Sequence, residues 1–117
     1  MSPLASIERE PIPLGTLDML ILKTLAASNA RELHGFEIAE AIQRGSRDVL
    51  QVEEGSLYPA LQRMLAKDWL VGEWGRTADN RRARYYRVTA AGRRQLDREV
   101  RSYERVSEAI ALILRPA

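Results

Sequence analysis

Apolar positions repeat at helical spacing in four stretches of the chain and alternate in two others. Leu17, Leu20, Ile21 and Leu25 recur at the three- and four-residue steps that gather side chains onto one helical face. Gly15-Thr16 offers a start signal, so the pattern predicts a first helix from there to about Ala27. Met19 and Leu22 fall off the main stripe, which makes this helix apolar around much of its girth and calls for burial on more than one side. A polar connection over residues 28–33 follows. Phe36, Ile38, Ala39, Ala41 and Ile42 then mark a second helix to about Arg44, with Gly45-Ser46 as its stop. His34-Gly35 stands at its entrance, and a lone histidine there reads as a capping or packing residue rather than a ligand or a base.

A third helix is predicted from about Glu54-Gly55-Ser56. Proline lacks an N–H and clashes with the preceding turn, so Pro59 belongs in the first turn, with Ser56 as N-cap. Leu57, Leu61, Met64 and Leu65 then face inward, leaving Tyr58, Gln62, Arg63 and Lys67 outside. Residues 69–74 and 84–88 concentrate β-branched and aromatic side chains on either side of Ala78-Asp79-Asn80, which predicts a β-hairpin. Thr89 caps a last helix from about Ala90 to Leu114, about 37 Å long at about 1.5 Å per residue. Leu96, Val100, Tyr103, Val106, Ile110 and Ile113 form one stripe along it. A rod of that length outreaches the remaining body, so part of the stripe needs a partner; the simplest is the same helix of a second copy. Residues 1–13, with three prolines, read as a loose arm.

Three helices, a hairpin and a long terminal helix make a mainly α fold with a small β-hairpin: a winged helix-turn-helix over residues 14–89 and a dimerisation helix over 90–117. Composition narrows the chemistry. With no cysteine and one histidine among 117 residues, disulfides, thiolate zinc, a cysteine nucleophile and imidazole-rich metal sites are excluded, and no cofactor is implied. The acids are scattered among basic residues. Glu37 and Glu40, three apart on an exposed helix face, carry no reaction with them, so no catalytic residue is assigned. The apolar run over residues 17–27 is broken by Asp18 and Lys23 and is too short to span a bilayer, and no secretory signal is evident, so a cytoplasmic protein without membrane contact is expected.

Net charge is +2, but it is unevenly placed. Residues 1–53 balance at −3 and residues 54–117 at +5, with Arg76, Arg81, Arg82, Arg84 and Arg87 clustered around the hairpin. Such a cluster attracts a polyanion through steering and counterion release. A winged-helix module that binds protein and ignores nucleic acid is the rival reading; the basic wing, where Asp79 is the only acid among these five arginines, speaks against it.

Four segments resemble the PadR family of bacterial transcriptional regulators: Leu14-Gly15-Thr16-Leu17, His34-Gly35-Phe36-Glu37-Ile38, Glu54-Gly55-Ser56-Leu57-Tyr58-Pro59-Ala60-Leu61, and Arg84-Tyr85-Tyr86-Arg87-Val88-Thr89-Ala90-Ala91-Gly92. The third is the most specific. The resemblance implies a homodimeric repressor of the small class, with a single C-terminal helix, acting on a pseudo-palindromic double-stranded operator. By position, Ser56, Tyr58, Pro59, Gln62 and Arg63 would make groove-side contacts, and Arg81, Arg82 and Arg84 would serve the wing. Some small members of that family hold flat aromatic compounds between paired C-terminal helices, often beside a tryptophan. Here Tyr103 takes that place, and an effector pocket would be bounded by Met19, Tyr103 and Ile110.

Overall fold

The computed structural model describes residues 8–28 and 31–116. The elements run β1 (Glu10–Pro11), α1 (Leu17–Ala27), β2 (Leu33–His34), α2 (Gly35–Gly45), β3 (Leu50–Gln51), α3 (Glu54–Ala66), β4 (Leu70–Arg76), β5 (Arg82–Val88) and α4 (Ala90–Leu114). The helices α1, α2 and α3 close around a core of Ile21, Leu22, Leu25, Ile38, Leu57, Leu61 and Met64, and Leu70, Tyr86, Val88 and Leu96 seal it from the hairpin and from α4. The breadth of apolar surface on α1 is thereby accounted for, since it contacts α2, α3, β5 and α4.

Local chemistry sets the helix starts. His34 caps α2 through a reciprocal pair: its Nδ1 accepts from the Glu37 amide at 3.3 Å, and the Glu37 carboxylate accepts from the His34 amide at 3.1 Å. Thr89 caps α4, its Oγ1 accepting from the Gly92 amide at 3.0 Å while donating to the Asp68 carbonyl at 2.6 Å. The third helix departs from expectation. Its N-cap is Glu53, with no side-chain cap, so Ser56 sits inside the first turn and Pro59 one turn further in. The missing Pro59 amide leaves the Gly55 carbonyl without its helical donor, but both residues lie on the exposed side, where water can serve that oxygen.

The hairpin is longer than predicted, β4 and β5 pairing from Leu70↔Val88 out to Arg76↔Arg82. Gly75 weakens the pattern in the sequence. In the fold the Tyr85 ring lies over it, 3.1 Å from where a β-carbon would stand, and the Tyr85 hydroxyl donates to the Arg76 carbonyl at 3.1 Å. Strand β2 adds to the other edge of β5, giving the order β2-β5-β4. The stretch read as a loose arm is tied down in part: β1 pairs in parallel with β3, Glu10 opposite Leu50, and Ile12 packs against the core. Residues 1–7 of that arm lie outside the described residues.

The radius of gyration is 16.0 Å, against about 13.4 Å for a compact chain of this length. Much of α4 is uncovered. Leu96 is buried and Val100 half-buried, but beyond them Tyr103 (50%), Val106 (54%), Ile110 (51%) and Ile113 (82%) stand exposed. Among the described residues, no helix is long and apolar enough to cross a membrane, and no cluster of acids and histidine could hold a metal ion.

Candidate nucleic-acid interface

The even-numbered side chains of β4 and the matching ones of β5 share one face of the hairpin. Near its base that face is core (Leu70, Tyr86, Val88); toward the tip it carries Trp74, Arg84 and Arg82. Trp74 lies opposite Arg84 and is 60% exposed, and the Arg82 guanidinium stacks 4.4 Å above its ring, with that of Arg84 at 5.8 Å. Gly72 leaves room for the Arg84 stem, since a β-carbon there would come within 2.6 Å of Arg84 Nε. That nitrogen is buried without a hydrogen-bond partner.

Opposite this face stands α3. Tyr58 lays its ring against the α2 entrance, its hydroxyl 3.0 Å from where a Gly35 β-carbon would be, and remains 46% exposed. Tyr58 and Gln62 on α3, with Trp74, Arg81, Arg82 and Arg84 on the wing, line a single groove of about 630 Å³. Hydroxyl, amide and guanidinium donors therefore converge on one concave, positively charged surface, as phosphate and base-edge contacts require. Ser56, Pro59 and Arg63 fall on the other flank of the helix. They line a second cavity, of about 440 Å³, with Asp18 and residues 11–15.

The arginines are not equally free. Arg81 is 84% exposed at its side chain and only 3.8 Å from Asp79 in the same loop. Arg87 pairs with Glu32 at 3.5 Å. Arg63 pairs with Asp18 of α1 at 2.7 Å. Trp74 and Asp18 are not among the sequence-predicted site residues. Trp74 has a signal in the sequence, an aromatic on a strand flanked by arginines; Asp18 has none, being 45 positions from its partner. Of the expected effector pocket, Met19 is 9% exposed in the core while Tyr103 and Ile110 lie on the exposed half of α4, and both grooves are lined by other residues.

Residues 21–98 match the family model described as the transcriptional regulator PadR-like family. The chain belongs to that family. The PadR-like chain is 38% identical over 85 residues to the transcriptional regulator Rv3488 of Mycobacterium tuberculosis, covering 73% of this chain and 74% of that one. A transcriptional regulator from Clostridium thermocellum superposes with a TM-score of 0.76 at 23% identity, over 86% of this chain and 95% of its own. Bacillus subtilis PadR, solved in complex with operator DNA, gives a TM-score of 0.62 at 18% identity, over 75% of this chain and 48% of its own, and so shares the fold. The PadR-like chain is thus a transcriptional regulator with a winged-helix fold, a regulatory rather than a catalytic class.

Burial raises the Glu99 carboxyl above its ordinary value, with the neighbouring Asp18 charge adding to the rise, and one Glu99 oxygen is buried without a partner. An acid whose folded-state value is raised binds its proton more tightly folded than unfolded, so stability falls as pH climbs through that range. Glu99→Gln is expected to raise the melting temperature near pH 7. The gain should vanish below about pH 4, where the carboxyl is protonated in both states; melting curves across that range check it.

Proposed function

We propose that the protein is a homodimeric repressor that reads a pseudo-palindromic operator with α3 and grips the adjoining backbone with the β4–β5 wing. The groove shared by α3 and the wing carries this reading: Tyr58 and Gln62 face Arg81, Arg82 and Arg84 across it. Tyr58 and Gln62 would make base-edge and phosphate contacts, Ser56 and Pro59 would reach the DNA from the other flank of the same helix, and the three arginines would supply most of the sequence-independent free energy. Pairing of the exposed stripe Tyr103, Val106, Ile110 and Ile113, continued from Leu96 and Val100, would set two α3 helices about 34 Å apart, one turn of a duplex. A flat aromatic ligand lodged between the paired helices at Tyr103 and Ile110, with Met19 reached from the core side, would release DNA to the extent that it binds the released arrangement better.

Filter binding of duplexes at graded salt, with size-exclusion chromatography of the free protein, tests the reading. The wild type should elute as a dimer and hold mixed-sequence duplex at low salt. Arg81→Ala/Arg82→Ala should weaken binding to every sequence and flatten the salt dependence by about one unit of slope for each phosphate no longer neutralised. Unchanged affinity and slope would remove the wing from the interface; a monomer that retains no duplex would end the proposal.

A further inference from the structure

Arg63 lies on the exposed side of the helix proposed to enter the groove, where an arginine would ordinarily be counted among the phosphate contacts. Its guanidinium is already engaged. Nη2 donates to Asp18 Oδ1 at 2.7 Å, a charge-assisted bond between α3 and the first turn of α1. The two ends differ in exposure: the Asp18 side chain is 19% exposed, that of Arg63 53%. The other cross-element pair among these arginines, Arg87–Glu32, is longer at 3.5 Å, and the Arg81–Asp79 contact joins two side chains more than three-quarters exposed. Withdrawing Arg63 toward DNA would strand a largely buried carboxylate beside Glu99, whose own carboxyl already feels the Asp18 charge. Leaving such a charge unpaired costs more than an exposed ion pair returns. The opposite flank of α3 is different: Tyr58 and Gln62 open onto the wing groove, whose acid, Asp79, lies in the wing loop beside Arg81 and Thr77.

We propose that Asp18 is a positioning residue that withholds Arg63 from the DNA backbone and so holds down the sequence-independent affinity of the protein. The inference rests on the DNA-binding reading above and revises it at one residue: Arg63 is a structural tie to α1, and the backbone contacts fall to the wing. The benefit is kinetic as well as thermodynamic. One phosphate contact fewer on bulk DNA shortens the time spent on the many sites that are not operators.

Asp18→Asn keeps the shape of the side chain while removing the charge, and it frees Arg63 to reach a phosphate. Each phosphate neutralised on B-DNA steepens the dependence of log affinity on log salt by about 0.9, which at 0.1 M salt corresponds to roughly eightfold tighter binding. The measurement is the salt slope and affinity of the full-length protein on mixed-sequence duplex for wild type, Asp18→Asn and Asp18→Asn/Arg63→Ala. Thermal melts confirm that each variant is folded at the assay temperature. Expected are a steeper slope and several-fold tighter binding for the single variant, and a return to the wild-type slope for the double variant, whose net charge equals that of the wild type. A single variant with unchanged slope overturns the proposal. So does a double variant that keeps the gain, because removal of an acid, not release of Arg63, would then be the cause. A wild type that binds no duplex at all removes the DNA-binding reading itself, a different result from either.

Discussion

Gly92→Ala is expected to be the most damaging single-methyl change in the chain. The α4 N-terminus meets the end of β5 and the loop after α3 at this glycine. A β-carbon there would run into the Trp69 carbonyl oxygen and stand 2.8 Å from Val88 Cγ2. Neither neighbour is a flexible side-chain tip. The Trp69 carbonyl accepts from the Thr89 amide at 3.0 Å, and Thr89 in turn caps α4. To admit the methyl group, α4 must lift away from the hairpin, opening Leu96 and the cap together. Overpacking typically costs about 1–3 kcal/mol, and a backbone clash belongs at the upper end or above. For a domain of this size that is a fall of roughly 10–20 °C in melting temperature. Differential scanning calorimetry at one fixed protein concentration reads it; a fall of less than a few degrees would mean that the joint yields more readily than its close approaches imply.

The second large effect concerns association. Val106 and Ile110, both about half exposed, lie in the middle of the unpartnered stretch of α4. Val106→Glu/Ile110→Glu should leave the helical content unchanged, since neither residue is buried in the winged helix. It should convert the protein to a monomer, because two acids facing two acids would be desolvated without partners. Binding to a duplex with two half-sites should then fall by at least about a hundredfold, since the second contact is no longer intramolecular. Light scattering during size-exclusion chromatography and a parallel gel-shift titration measure both. A dimer that survives the double substitution would place the interface elsewhere.

Most of the framework is legible in the residues themselves. His34, Thr89 and the stripes of α1 and α4 act through neighbours three and four positions away, and local signals of that kind can be seen in a linear string. What escapes such a reading depends on partners far along the chain. Glu10–Pro11 pairs with Leu50–Gln51 across forty positions, and a two-residue strand has no period to detect. The Arg63–Asp18 tie is of the same sort: the exposed side of α3 is evident, but not that its arginine is spoken for. Ser56 is misplaced for another reason. The usual rule puts proline in the first turn, whereas α3 starts from an uncapped Glu53 and tolerates Pro59 deeper, on its wet side. Likewise Trp74 can be assigned to a strand from its type, yet its stacking under Arg82 follows from the hairpin register.

That stacking leaves the two tryptophans in unlike surroundings. Trp69 is half-buried at the α3–α4 joint with the Lys67 ammonium 4.6 Å from its ring, whereas the Trp74 ring faces the wing groove beneath a guanidinium. With Trp69 changed to phenylalanine, the remaining indole emission belongs to the groove alone. The protein therefore carries a native optical reporter at its proposed contact surface, and occupancy of that surface can be followed without attaching a dye to the molecule.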